Sequence, residues 1–334
     1  RLHAVAAPLW VGLTQALGAG NTMSRPRKHH FLPQFYLRGF SEDQNSLYQI
    51  RKMTGESVGC RIKDLAAIRD FHEIDADDVE DPLALEKELA TVEGQMSRFL
   101  AELLRDGLSN GRALVETIGF MSLLRMRVPA IKRHIEASLG ETVRTAAEIL
   151  ERQGKLLPPP PGLEEALRVA NLKITISNWK CMELMFGMAS NPEVLNIMCK
   201  MQATLFRAPS GSFITGDQPV ALYHEDKTSP YGVGPATPGV EITVPLTSAA
   251  LLRLTHSEAE DQELVASTEE VVEFNRRTIV MAEQYLYTGS CPSGIGDRAL
   301  LLKDLSAGFT FDMLRTGRIT LQVQRCIPVY PAGT

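Results

Sequence analysis

The sequence has little of what marks the easily read protein classes. It holds only five cysteines, Cys60, Cys181, Cys199, Cys291 and Cys326, an odd number with no CxxC spacing. That argues against a disulfide framework or a cysteine zinc site, and reduced thiols in a cytoplasmic chain are the expectation. No apolar run reaches the roughly 20 residues a membrane span needs, so no membrane partner is expected. Charge is nearly balanced, 35 basic against 40 acidic residues for a net −5, so no overall basic field invites nucleic acid. The chain lacks a P-loop, a GxGxxG, an HExxH or a GxSxG where a strand would meet a helix. Nucleotide-fold dehydrogenases, P-loop enzymes, zincins and nucleophile-elbow hydrolases are therefore disfavoured.

What is present is globular composition: 334 residues, 44% hydrophobic and 22% charged, which is too apolar for general disorder. Residues 4–20 are apolar but include Pro8, Thr14 and Gln15 and are shorter than a membrane span. With Arg1 ahead of them they could serve as a signal-peptide h-region, yet Met23 offers a second start. The expectation is that residues 1–22 are a tail or upstream segment outside the fold. A single α+β domain over 23–330 should follow, helical over 82–200 and mostly strands over 201–330.

Residues 46–62 read as strand, turn, strand around Thr54-Gly55-Glu56. The acidic run 75–81 reads as a loop into the clearest helix of the chain, with Asp81 as its N-cap and Pro82 at its first position. Leu85, Leu89, Val92, Met96, Phe99 and Leu103 recur at steps of four and three, and Gly107 should end the helix. A second helix from about Arg112 carries apolar residues on two faces and should be central, with Pro129 kinking or dividing it. A more polar helix follows to about Gln153. The prolines at 158–161 read as a stiff connection, ahead of a helix over about 163–189 and a fresh start at Asn191-Pro192. Beyond Lys200 short strands alternate with Gly/Pro turns. Ser267 and Glu270 form a capping box for a helix to about Leu286, and residues 309–329 read as a hairpin turning at Thr316-Gly317. Strands, then helices, then mostly strands indicates α+β rather than a doubly wound sheet, with a helical middle packed against sheet elements from both ends.

The segment HHFLPQFYLRGF, from His29 to Phe40, carries a His-His-x-x-Pro-x-x-Tyr-Leu-x-x-Phe pattern. It resembles the N-terminal signature of the uncharacterised family catalogued as domain of unknown function 4238. Other pieces fit in order over about 26–287. Glu86 and Glu93 match an acidic helix, Arg127 with Pro129 an Arg-x-Pro element, and FITGDQP around Asp217 a Thr-Ser-Asp-x-Pro turn. Pro245-Leu246 and Asn275 match later marks, whereas Leu124 stands where the family commonly has glutamine. The resemblance implies a shared fold and no activity.

The chemistry is then read from side-chain types. Histidine with Asp and Glu makes a mixed nitrogen/oxygen site for a divalent metal, and His29, His30 and Asp217 are the candidate ligands. Adjacent histidines of an extended segment point to opposite faces, so one ligand and one supporting group is the expected use of the pair. The competing reading is that the pair caps the first strand and packs on Phe35 or Tyr36. Glu86 and Glu93 lie seven apart on nearly one helical face, about 10.5 Å between Cα atoms, so both can line one cleft but hardly share one ion. Either they are catalytic carboxylates with Asp217, or they pair with arginines such as Arg125 or Arg127. Arg127 falls on an apolar face and needs a carboxylate or a phosphate, so it is the candidate anion holder, with Asn275 as a second substrate contact. Asp217 is either a site residue on a constrained turn or simply a good turn former.

The leading expectation is a hydrolase-like enzyme, metal-assisted through a divalent ion, acting on a phosphate-bearing or other anionic small molecule. The alternative is a non-enzymatic binding or defence-associated module in which the same polar residues form a structural network.

Overall fold

The computed structural model describes residues 28–74, 84–163, 165–208, 212–226, 232–290, 294–316 and 319–332. The expected tail 1–22, the acidic run 75–81 with its Asp81 cap, and Cys291 and Gly317 lie outside the described residues.

The chain opens with β1 (Lys28–His30), α1 (Gln34–Arg38), β2 (Ser46–Arg51), β3 (Ser57–Arg61) and β4 (Ala67–Arg69). A helical middle follows: α2 (Ala84–Asp106), α3 (Gly111–Met126), α4 (Pro129–Arg152), α5 (Asn178–Ala189) and α6 (Pro192–Lys200). Then come β5 (Gln202–Arg207), β6 (Thr215–Gly216), β7 (Ala221–Tyr223), β8 (Glu241–Thr247), β9 (Ala250–Thr255) and β10 (Gln262–Val265). The chain closes with α7 (Thr268–Met281), β11 (Tyr285–Thr288), α8 (Ile295–Leu301), β12 (Gly308–Thr316) and β13 (Ile319–Ile327). The fold is α+β, as the order of elements predicts.

Every residue of the expected stripe on α2 is buried, from Leu85 to Leu103. The helix stops where Gly107 takes a left-handed φ of 68°, a conformation a side chain disfavours. A Cβ there would also collide with the Glu263 carboxylate, so the stop is fixed sterically as well. α3 is buried almost all round, as two apolar faces require. Pro129 divides rather than kinks: Val128 is extended, and Pro129 begins α4, where its missing N–H has no intrahelical partner to lose. The helix expected from residue 163 begins only at Asn178, because the Ser177 side chain takes the Lys180 amide and sets the first turn there. Residues 165–177 before it are largely exposed and bury no apolar stripe that would hold them helical.

Four sheets are present among the described residues. The larger two have the orders β10-β5-β9-β8-β7 and β3-β2-β11-β6, and β1-β4 and β12-β13 form ribbons. The four-stranded sheet joins the ends of the chain: β2 pairs antiparallel with β11, Ile50 opposite Leu286. That pairing explains why α7 ends at Met281 and not near Leu286. The Lys52 ammonium donates to the carbonyls of Val280, Ala282 and Leu305 at 3.1, 2.8 and 2.8 Å, capping the helix end and releasing the next residues to the sheet. The capping box of Ser267 and Glu270 forms as its spacing predicts. The largest apolar cluster draws on residues from Phe31 to Tyr287 and so is shared by both ends and the helices. Among the described residues no helix is long and apolar enough to cross a membrane.

Candidate functional site

Strand alternation splits the two histidines. His29, opposite Ile68 on β4, is fully buried, while His30 faces the other way and its ring Nε2 lies 3.2 Å from the Lys63 carbonyl. Burial lowers the His30 pKa. Behind His29 is His72, whose ring stacks on it at 5.6 Å between centroids. His72 has no ligand spacing in the sequence that would mark it. Its one signal is its place between Phe71 and Ile74, both buried, in a loop otherwise polar.

Arg127 closes the cluster. It is the C-cap of α3 and only 2% exposed, although it carries a permanent charge. Its Nη1 donates to Glu93 Oε1 at 2.5 Å, its Nη2 to the His30 carbonyl at 2.6 Å and its Nε to His72 Nε2 at 3.2 Å. A guanidinium can only donate, so His72 Nε2 must be the acceptor and the His72 proton sits on Nδ1. That proton is directed to Glu86 Oε2, 2.6 Å away. The His72 amide in turn donates to His29 Nδ1 at 2.9 Å. Glu86 and Glu93 thus line one cluster seven residues apart, each on a different partner, as the helix geometry allows.

Burial, then the neighbouring Arg127 charge, holds His72 down to about 3, below its ordinary 6.5. Burial alone would raise Glu86, but the His72 hydrogen bond and the nearby positive charge outweigh it and leave the carboxyl below its ordinary range. These shifts make the fold acid-sensitive. Between about 3 and 6.5 the unfolded chain takes a proton on His72 that the folded chain refuses, so stability falls as pH drops through that window. The slope from this one group approaches about 1.4 kcal/mol per pH unit. Glu86 acts in the same direction lower down. Melting temperatures of the parent and His72→Gln from pH 7 to 4.5 test this, with a shallower slope expected of the variant. Equal slopes would show that His72 is not kept neutral.

One group of metal-capable residues occurs among the described residues: His29, His72 and Glu86, with one ligand atom of each within 4.8 Å of the others. It contains one of the expected ligands, His29. Asp217 sits elsewhere, in the turn after β6, where its two oxygens accept the amides of Glu283, Gln284 and Tyr285 at 2.8, 2.8 and 3.0 Å. Asn275 is also apart: its Oδ1 takes the Ile214 amide at 3.1 Å and its Nδ2 donates to the Ser212 carbonyl at 2.8 Å, tying that segment to α7. The structure therefore gathers His29, Glu86, Glu93 and Arg127, with the His30 carbonyl, and gives Asp217 and Asn275 backbone partners in other places.

A cleft lies at the start of α4. Its first lobe, about 290 Å³, is walled by Phe31, Pro129, Tyr285 and Tyr287, with Asp217 and Gln218 also in its lining. A second lobe of about 390 Å³ runs on past His134 to Phe309 and Phe311. Arg133, Gln218 and Glu283 line both lobes, and the Arg133–Glu283 ion pair lies where they meet.

Fold and cluster together define an α+β protein with a His–Glu–Arg network whose histidine and arginine members are buried and hydrogen-bonded within the protein, and with a separate two-lobed cleft. Residues 28–291 match the family described as protein of unknown function (DUF4238), and the chain belongs to that family. No curated protein and no solved structure matches the chain significantly.

Proposed function

We propose that the protein is a binding module whose ligand site is the two-lobed cleft, and that the His29–His72–Glu86–Arg127–Glu93 cluster is a structural network joining β1, the 70–74 loop, α2 and α3. The observation that carries this reading is the direction of the cluster's hydrogen bonds. Each nitrogen of Arg127 donates to a partner inside the protein, and at 2% exposure its two remaining N–H groups are closed off from an external anion. The arginine already supplies the positive charge that the His72 and Glu93 acceptors require. His29 Nδ1 and His72 Nε2 each already accept an N–H, and His72 Nδ1 lies 2.6 Å from Glu86, so hydrogen bonds within the protein already occupy these nitrogens.

A second reading has one observation in its favour. The approach of His29, His72 and Glu86 to within 4.8 Å is close to what a zinc or iron ion would gather after small side-chain movements. On that reading the protein is a metal-assisted hydrolase acting on a phosphate-bearing or other anionic substrate. The ion would supply an acidified water, Glu93 would take its proton, and Arg127, freed from Glu93, would hold the anion.

Metal content separates the two. Protein purified without chelator should carry no stoichiometric zinc, manganese or iron, and EDTA should leave its melting temperature unchanged. One equivalent of metal in the parent, lost in Glu86→Gln, would overturn the binding-module reading and favour the hydrolase.

A further inference from the structure

Two side chains in the first lobe of the cleft are buried yet make no hydrogen bond among the described residues. Gln218 is 8% exposed and Tyr287 is 1% exposed, neither side chain hydrogen-bonds a described residue, and the polar atoms of both face the open volume of the cleft and are not sealed within the protein. Buried polar groups in folded proteins are nearly always paired, because an unmade hydrogen bond inside is costly. Both groups lie against open volume, so the structure keeps them available. Gln218 sits at the junction of the lobes: its Oε1 would lie 3.6 Å from a Cβ at Gly308, where β12 begins beside the second lobe.

The charges around the cleft are not available in the same way. Asp217 is enclosed by three amides, Asp64 pairs with Lys28 at 2.7 Å and Arg61 at 3.4 Å, and Glu283 pairs with Arg133. The first-lobe lining therefore holds three carboxylates and one guanidinium, all engaged. Each carboxylate is already matched by a cation or by backbone amides, so an anion would find no unpartnered positive group and a cation no unpartnered carboxylate.

We propose that the cleft binds an uncharged, ring-sized organic molecule presenting a hydrogen-bond donor beside an acceptor, as the edge of a nucleobase or other cyclic amide does. A free carboxamide has a C=O and an N–H₂ side by side, and its natural partner is such an edge, bound through two bonds at once. The Tyr287 hydroxyl, donor and acceptor both, provides a third contact. Burial raises the Tyr287 pKa, so the phenol keeps its proton. The flat walls of Phe31, Pro129, Tyr285 and Tyr287 suit a planar ring, and about 290 Å³ is the lower end of ordinary small-ligand sites. This inference rests on the binding-module reading and adds the chemical class of the ligand.

Titration calorimetry of the full chain with uracil, uridine, adenosine and uridine 5′-monophosphate tests it. At least one uncharged probe should bind, and the monophosphate should bind no more tightly than uridine. Gln218→Leu and Tyr287→Phe, both close in size to the parent residue, should each weaken binding about tenfold or more, the loss expected for a missing buried hydrogen bond. Retained melting temperatures of the two variants show that folding is intact. Absence of binding by all uncharged probes at millimolar concentration, tighter binding of the monophosphate, or binding indifferent to both substitutions would each overturn the proposal. A monophosphate preference lost in Gln218→Leu would sink only the uncharged class and leave the cleft as the binding site. Stoichiometric metal at Glu86 would sink the reading beneath it.

Discussion

Replacing Arg127 with leucine is expected to lower stability by about 3–5 kcal/mol, the usual cost of removing one partner from a buried ion pair. The substitution strips hydrogen bonds from Glu93, from His72 Nε2 and from the His30 carbonyl at once. One of these acceptors, His72, is fully buried, and Glu93 is only 24% exposed, so neither recovers the lost bond fully from water. The second substitution Glu93→Leu, made on top of the first, should recover part of the loss, because an apolar pair leaves no carboxylate stranded. Urea denaturation midpoints of the two variants and the parent measure both effects. A loss under about 1 kcal/mol for Arg127→Leu would mean that the guanidinium is not bound into the fold, and would revive its use on an external anion.

Asp217→Ala should be as damaging. The aspartate carboxylate accepts from three successive amides, Glu283 to Tyr285, that turn the chain from α7 into β11. Each buried donor left without an acceptor costs roughly 1–3 kcal/mol, so a loss of several kcal/mol is expected. Burial raises the Asp217 pKa against these bonds, a sign that the charged carboxylate is already held at some expense of solvation. Asp217→Asn keeps one oxygen acceptor and should lose less than the alanine variant. Thermal melts rank the two. An alanine variant as stable as the parent would return Asp217 to candidacy as a ligand or catalytic group.

Residue types and spacing by themselves determined a good deal of this protein. The period of Leu85 through Leu103 fixes α2 and its buried face, because a 3.6-residue repeat leaves one side of the helix apolar whatever it packs against. Pro129 and the Ser267–Glu270 box mark helix starts through local sterics and local hydrogen bonds, which need no distant partner. The same local logic places His29 and His30 on opposite faces of β1, and it makes a buried Arg127 demand a carboxylate.

Local logic fails wherever the partner comes from far along the chain. α7 stops at Met281 because Lys52, more than two hundred residues earlier, takes its last carbonyls. Asp217 reads equally well as a site residue or a turn former until the amides of 283–285 are seen around it. His72 carries no spacing that would single it out, yet it stands between His29, Glu86 and Arg127 and is hydrogen-bonded to all three. Gln218 and Tyr287 look like ordinary polar and aromatic residues in sequence. Only the meeting of α4 with the turn after β6 and with β11 leaves them buried beside empty volume, because hydrogen-bond satisfaction is a property of the assembled interior and not of the chain that enters it.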